Sequence, residues 1–170
     1  MSSGRFTNVT GSVEEMFNLI FDPRVLKICT ALWREKNLSI PVLHRRTGLG
    51  SLTVRGTVSR LLFARMVERS ERNVLANRTF EHYGLTQLGK KIMPEINAIG
   101  LLLPEGFTGK HAIALMDLHE LKKLEKAGLV EFPDVKYKVK SKGEEIASHL
   151  MIIHNIIFRE RCREVRRIGY

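Results

Sequence analysis

At 170 residues the chain has room for one large domain or two small ones, and its 44% hydrophobic and 27% charged residues are a globular balance, not a disordered one. No apolar run approaches bilayer-spanning length, and the polar opening from Met1 to Ser12 carries no secretory h-region, so neither a membrane span nor export is expected. The net charge of +10 points to a polyanionic partner, with nucleic acid ahead of an anionic membrane surface.

Ser12 to Glu15 reads as a capping box that predicts a helix to about Phe21, with Val13, Met16, Phe17 and Ile20 as its apolar face. Asp22 and Pro23 restart the chain as N-cap and first helical residue. The helix they open carries Val25, Leu26, Ile28, Cys29, Leu32 and Trp33 at helical spacing and fades at Asn37. A third helix is expected from Ile40-Pro41 to Thr47. Gly48-Leu49-Gly50 then makes a tight turn, because glycine accepts the positive φ such a corner needs. Ser51 or Thr53 is expected to cap the next helix. Its buried stripe is Val54, Val58, Leu61 and Leu62, and Thr53, Arg55, Gly56, Ser59 and Arg60 lie opposite. Met66 to Arg69 and Thr79 to Leu85 read as strands around a polar tip at Ser70 to Arg78, and Thr86 caps a helix through Leu88, Ile92 and Ile96.

Helix, helix, turn, helix, strand, wing, strand, helix is the order of a winged helix-turn-helix. The expected fold class is therefore mainly α with small β-wings. Phe21 to Ile28 resembles the opening helix of ArsR-type regulators. Thr57-Val58-Ser59-Arg60-Leu61-Leu62 followed by Met66-Val67-Glu68-Arg69 is similar to the recognition-helix end and first wing strand of MarR-type regulators. Tyr83 to Ile92 resembles the wing exit shared by the MarR, PadR and HxlR groups. The resemblance covers residues 20–98. It departs at Met66, where these families place glycine, so a different corner is expected there.

The second half repeats part of this pattern. Tyr137 to Ile146 aligns with Tyr83 to Ile92 at an offset of 54, and Leu124 to Glu131 aligns with Leu61 to Glu68 at an offset of 63. The nine-residue difference falls in the wing, nearly absent around Phe132-Pro133-Asp134. This predicts a winged-helix domain over 13–99 and a second, shortened unit over 108–170, joined through Gly100 to Lys110. Too few residues follow Leu101 for a complete second unit, so either the helix from Gln87 serves both or the second unit is degenerate. From about Lys142 a long C-terminal helix is expected. Ile146, Leu150, Ile153 and Ile157 make one apolar face and Ile152, Ile156 and Phe158 another. A helix apolar on two sides needs two partners, which points to a homodimer through this helix, against packing back on its own domain.

Residues 1–100 hold 15 Lys and Arg against 8 Asp and Glu, and eight arginines fall within 44–78. The resemblance implies sequence-specific binding of double-stranded DNA by a transcriptional regulator, with the recognition helix in the major groove. Arg55 is the candidate for a bidentate contact to guanine; Ser51, Thr53, Ser59 and Arg60 reach bases or phosphates. Arg45 and Arg46, with His44 and Thr47, lie along the backbone. Arg69, Arg72 and Arg78 on the wing, with Asn73 and Asn77, reach the minor groove or its phosphates. The rival reading is a tandem winged-helix module that binds proteins within a transcription or other multiprotein complex. No enzyme is expected: His119-Glu120 lacks a second histidine at metalloprotease spacing, and no phosphate-loop or dinucleotide fingerprint occurs. No metal or cofactor is expected, and the distant Cys29 and Cys162 read as free thiols in a cytoplasmic, nucleoid-associated protein.

Overall fold

The computed structural model describes residues 13–75, 78–117, 121–131 and 138–168. In chain order it holds α1 (Val13–Ile20), α2 (Pro23–Arg34), β1 (Leu38–Ser39), α3 (Ile40–Thr47), α4 (Ser51–Phe63), β2 (Val67–Leu75) and β3 (Arg78–Leu85). There follow α5 (Gln87–Gly100), α6 (Gly109–Asp117), α7 (Leu121–Lys126), β4 (Val130–Glu131), β5 (Lys138–Val139) and α8 (Ser141–Ile168). The protein is mainly helical with a small three-stranded antiparallel sheet, ordered β1-β3-β2, and a two-stranded β4-β5 ribbon.

Several helix ends follow from local chemistry. The Asp22 side chain accepts the Arg24 N–H and Pro23 opens α2. Gly48 ends α3 in the left-handed region at φ 69°. Thr86 accepts the Gly89 N–H at the start of α5. The capping residue expected before α1, Ser12, lies outside the described residues. At α4 the expectation fails: Gly50 is the N-cap, no side chain caps the helix, and Ser51 is already its first residue. The hairpin is also longer than expected. Its strands run on through Leu75 and from Arg78, with Leu75 opposite Arg78, so most of the supposed tip is paired strand.

Asp22 also ties α2 to α4. Its carboxylate accepts hydrogen bonds from Arg24 (3.0 Å) and from the Arg60 guanidinium (2.9 Å). Partial burial works against the charge, but these hydrogen bonds outweigh it and hold the carboxyl at about 2, below the usual 3.8. A depressed carboxyl stabilises the fold above its unfolded value and stops doing so as the pH falls through its folded one. Asp22→Asn keeps the capping oxygen and removes the charge. It should cost about 1 kcal/mol at neutral pH after allowance for solvent around Arg60. That difference should vanish between pH 3.8 and about 2 when urea midpoints of the two proteins are compared.

The repeat read in the sequence has a structural counterpart at the helix-to-strand corner. Met66 N–H bonds to Leu61 C=O and Leu129 N–H to Leu124 C=O; Thr86 N–H bonds to Met66 C=O and Lys140 N–H to Leu129 C=O. The pairing of Val67 with Leu85 recurs as Val130 with Val139. The left-handed corner is Gly128 at φ 71° in the second copy and Arg65 at φ 56° in the first. The left-handed residue of the first corner is thus Arg65, one position before Met66, and the corner keeps the shape of the copy that has glycine there despite the side chain. Only glycine takes this conformation without a steric cost. Gly128→Ala, with open space around it, should lose about 1 kcal/mol by thermal melting, and Arg65→Gly should gain about half as much.

Both halves share one hydrophobic core, from Phe17 and Ile20 through Leu61 and Ile92 to Leu124, Ile146 and Ile153. α1 packs on α6, and α5 packs on α2 and β3 in the first half and on α8 in the second. One helix thus serves both. The Ile146, Leu150, Ile153 and Ile157 face of α8 is buried within the chain, with His149 Nδ1 2.7 Å from Glu95 of α5. Among the described residues no helix is long and apolar enough to cross a membrane.

Candidate nucleic-acid interface

α3 and α4 meet at the corner formed by residues 48–50, and side chains expected at a ligand fasten it instead. Thr47 donates its hydroxyl to Leu43 C=O (2.7 Å) and accepts the Leu49 N–H (3.3 Å), while His44 Nδ1 bonds Leu49 C=O. This fixes the angle at which α4 leaves α3. Val54, Thr57, Val58 and Leu61 are buried. Leu52, Arg55, Gly56 and Ser59, spaced by three and four, form one exposed ridge along the opposite side. Ser51 is exposed at its start, where the absence of a capping side chain leaves the first N–H groups open to solvent or an anion. Thr53 is half-buried, to one side of the ridge.

The arginines divide by what holds them. Arg45 and Arg55 are exposed, with no ion pair to an acidic side chain among the described residues. Arg46 is exposed but engaged: its Nε lies 2.9 Å from Glu35 Oε1 and its Nη2 3.1 Å from Oε2, a planar two-point pairing across the α2–α3 turn. Arg60 is clamped to Asp22, which gives it a positioning role that spacing alone did not suggest. Arg69 lies 3.7 Å from Glu81 at the base of the hairpin.

Glu81 also accepts the Tyr83 hydroxyl (2.8 Å). Burial is the main cause of the raised Tyr83 hydroxyl pKa, followed by its bond to Glu81, while the positive charges of Arg69 and Arg55 pull the other way. Arg55 on α4 and Arg69 on β2 thus both favour the charged form of the same hydroxyl. Further out, register puts Arg72 opposite Glu81, Asn73 opposite Phe80 and Arg78 opposite Leu75, after a register shift between Arg69 and Arg72. Asn77 lies outside the described residues.

Comparison with protein-family models, with curated proteins and with solved structures returns no match to this chain. The structure adds one residue to the expected set. Leu52 is 85% exposed at the head of the ridge, and its place three and four residues before Arg55 and Gly56 was the signal for it. Phe63, 71% exposed, stands at the other end of the helix. It borders a groove of about 590 Å³ with Met16, Leu19 and Ala64. Among the described residues no group of three or more His, Cys, Asp or Glu is placed to hold a metal ion.

Proposed function

We propose that the chain is a winged-helix protein that binds double-stranded DNA in a sequence-specific way as a transcriptional regulator, working as a homodimer. The observation that carries this reading is the exposed Leu52, Arg55, Gly56 and Ser59 ridge of α4, with Arg45 and Arg69 exposed on the elements either side. A helix lying in the major groove needs one face free of bulk apart from a few readers. Gly56 supplies the close approach, Arg55 the planar fork for guanine, and Leu52 an apolar contact for a thymine methyl. The hairpin, carrying Arg69, Arg72 and Arg78, lies along the backbone or minor groove beside it. Arg46 and Arg60 act by holding α3 and α4 in place.

The test is an anisotropy titration of labelled duplex DNA at 50 and 200 mM salt, random fragments against the region upstream of the coding sequence. With about six to ten phosphates contacted per dimer, affinity should fall about 10³–10⁵ fold between the two salt concentrations. Arg55→Ala should weaken the preferred site by about 1–3 kcal/mol and relax one base position, while Arg69→Ala should weaken all sequences alike. Equal, small losses on every sequence for both variants would defeat these roles.

A second reading is favoured by a specific observation, the apolar groove beside the exposed Phe63. A tandem winged-helix module of a multiprotein complex would seat a partner's side chains there. Absence of DNA binding at 50 mM salt, with the fold intact, would decide for that module.

A further inference from the structure

One face of α8 is packed on α5 and α6, and the opposite face is not. Glu144, Ser148, Met151, Asn155 and Phe158 are all exposed and follow one another at alternating steps of four and three, with Ile152 beside them. Met151, Ile152 and Phe158 are 46%, 44% and 56% exposed. That spacing keeps a stripe on one side of a helix over many turns. Beyond the apolar middle the same stripe changes sign. Glu144 and Glu145 are exposed at its N-terminal end, and Arg159, Arg163 and Arg166 at its C-terminal end.

A surface built in this order is complementary to itself only when reversed. Two copies side by side in the same direction would set glutamates on glutamates and arginines on arginines. Turned about a twofold axis near Asn155, Ile152 of each copy meets Phe158 of the other, and Glu144 and Glu145 fall opposite Arg163 and Arg166. Contact between identical patches about such an axis is the usual way a dimer closes. We propose that the exposed face of α8 is a homodimer interface in which two copies of the helix pair antiparallel about Asn155. The inference rests on the dimeric reading above and specifies its surface, direction and centre. The apolar middle supplies the buried contact, and the charged ends set the direction, since like charges brought together would oppose the parallel alternative.

The two cysteines make the direction measurable. Cys29 is buried and its thiol is pushed up to about 12, so it stays unreactive near neutral pH. Cys162 is half-exposed, seven residues beyond Asn155. In the antiparallel pair the two Cys162 residues are about 21 Å apart along the helices, beyond disulfide reach, while residues at position 155 face each other. In a parallel pair both positions would meet their own copies.

The experiment uses the full chain without DNA. Light scattering after size exclusion should give two copies of the 19.5 kDa chain, and Phe158→Glu should return one, with its circular dichroism unchanged because that side chain is exposed. Should that variant not fold, the double variant Arg163→Glu, Arg166→Glu should likewise return one copy. Adding Glu144→Arg and Glu145→Arg to it should restore two. Under mild oxidation Asn155→Cys in a Cys162→Ser background should form a covalent dimer, and the native chain should not. A native monomer at high concentration, a dimer indifferent to these variants, or covalent linkage through Cys162 would each overturn the proposal. DNA titrations fail or succeed independently of these measurements, so a monomer would leave DNA binding standing and an unbound duplex would leave the pairing standing.

Discussion

Gly89→Ala is expected to destabilise the protein by about 3 kcal/mol, and Gly143→Ala to do the same in the second half, read from urea unfolding of each variant. A Cβ on Gly89 would stand 2.5 Å from the Met66 carbonyl oxygen and 3.1 Å from the Leu85 side chain. A Cβ on Gly143 would stand 2.5 Å from the Leu129 carbonyl oxygen and 3.0 Å from Val139. Neither carbonyl can yield easily, because each already accepts the N–H that starts the following helix, from Thr86 and from Lys140. Relief therefore requires moving a whole helix away from the strand corner it packs on. The two copies differ in one respect that sharpens the comparison. Thr86 also accepts the Gly89 N–H and donates its hydroxyl to Arg65 C=O (2.6 Å). Lys140, at the equivalent position, has no hydroxyl to do either. The first corner is thus held more firmly, so Gly89→Ala should be the costlier of the two. A loss under about 1 kcal/mol for both would mean that the close approach of helix and carbonyl is not what these glycines serve.

What the sequence disclosed and what it withheld divide along the range of the interactions. Asp22 and Pro23, Gly48 and Thr86 were legible because each depends on residues within a few positions, through a cap or a positive φ. β1 was not. Leu38 and Ser39 carry no strand pattern and become a strand only because they pair with Tyr83 and His82. The tip from Ser70 to Arg78 reads as a loop because Ser70 to Asn73 is polar and poor in strand-favouring side chains, and cross-strand pairing from Arg72 to Leu75 overrides that preference. The candidate site shows the same division. The exposed ridge of α4 followed from helical spacing, but the partners that hold Arg60 and Arg46 lie 38 and 11 residues away, at Asp22 and Glu35. Both arginines look alike in sequence to Arg55, and only the fold separates the two that a distant carboxylate holds from the one that no described acidic side chain pairs.

Phe17→Ala should cost about 3–5 kcal/mol, a large share of the stability of a chain this size, and should do so across the whole chain. Phe17 is fully buried in α1. Its ring stacks on Phe21 at 6.2 Å, and Phe21 meets Phe107 edge-on at 5.2 Å and 77°, which carries the aromatic contact from the first half into the second. Gly109 lets α6 approach this point so closely that a Cβ there would run into the Phe17 carbonyl carbon and the Asn18 backbone. Removing the ring therefore opens a cavity where the halves meet, not inside one of them. The single tryptophan, Trp33, lies in α2 and reports the first half by fluorescence, while circular dichroism reports the helices of both. If the repeat units share their core, the two signals should change together in the native protein and should move together to lower urea in Phe17→Ala. If α6 and α8 could hold without α1, part of the helical signal would survive after the fluorescence change. The first outcome is expected because α5 is packed on both halves: unfolding either removes the surface on which the other is folded.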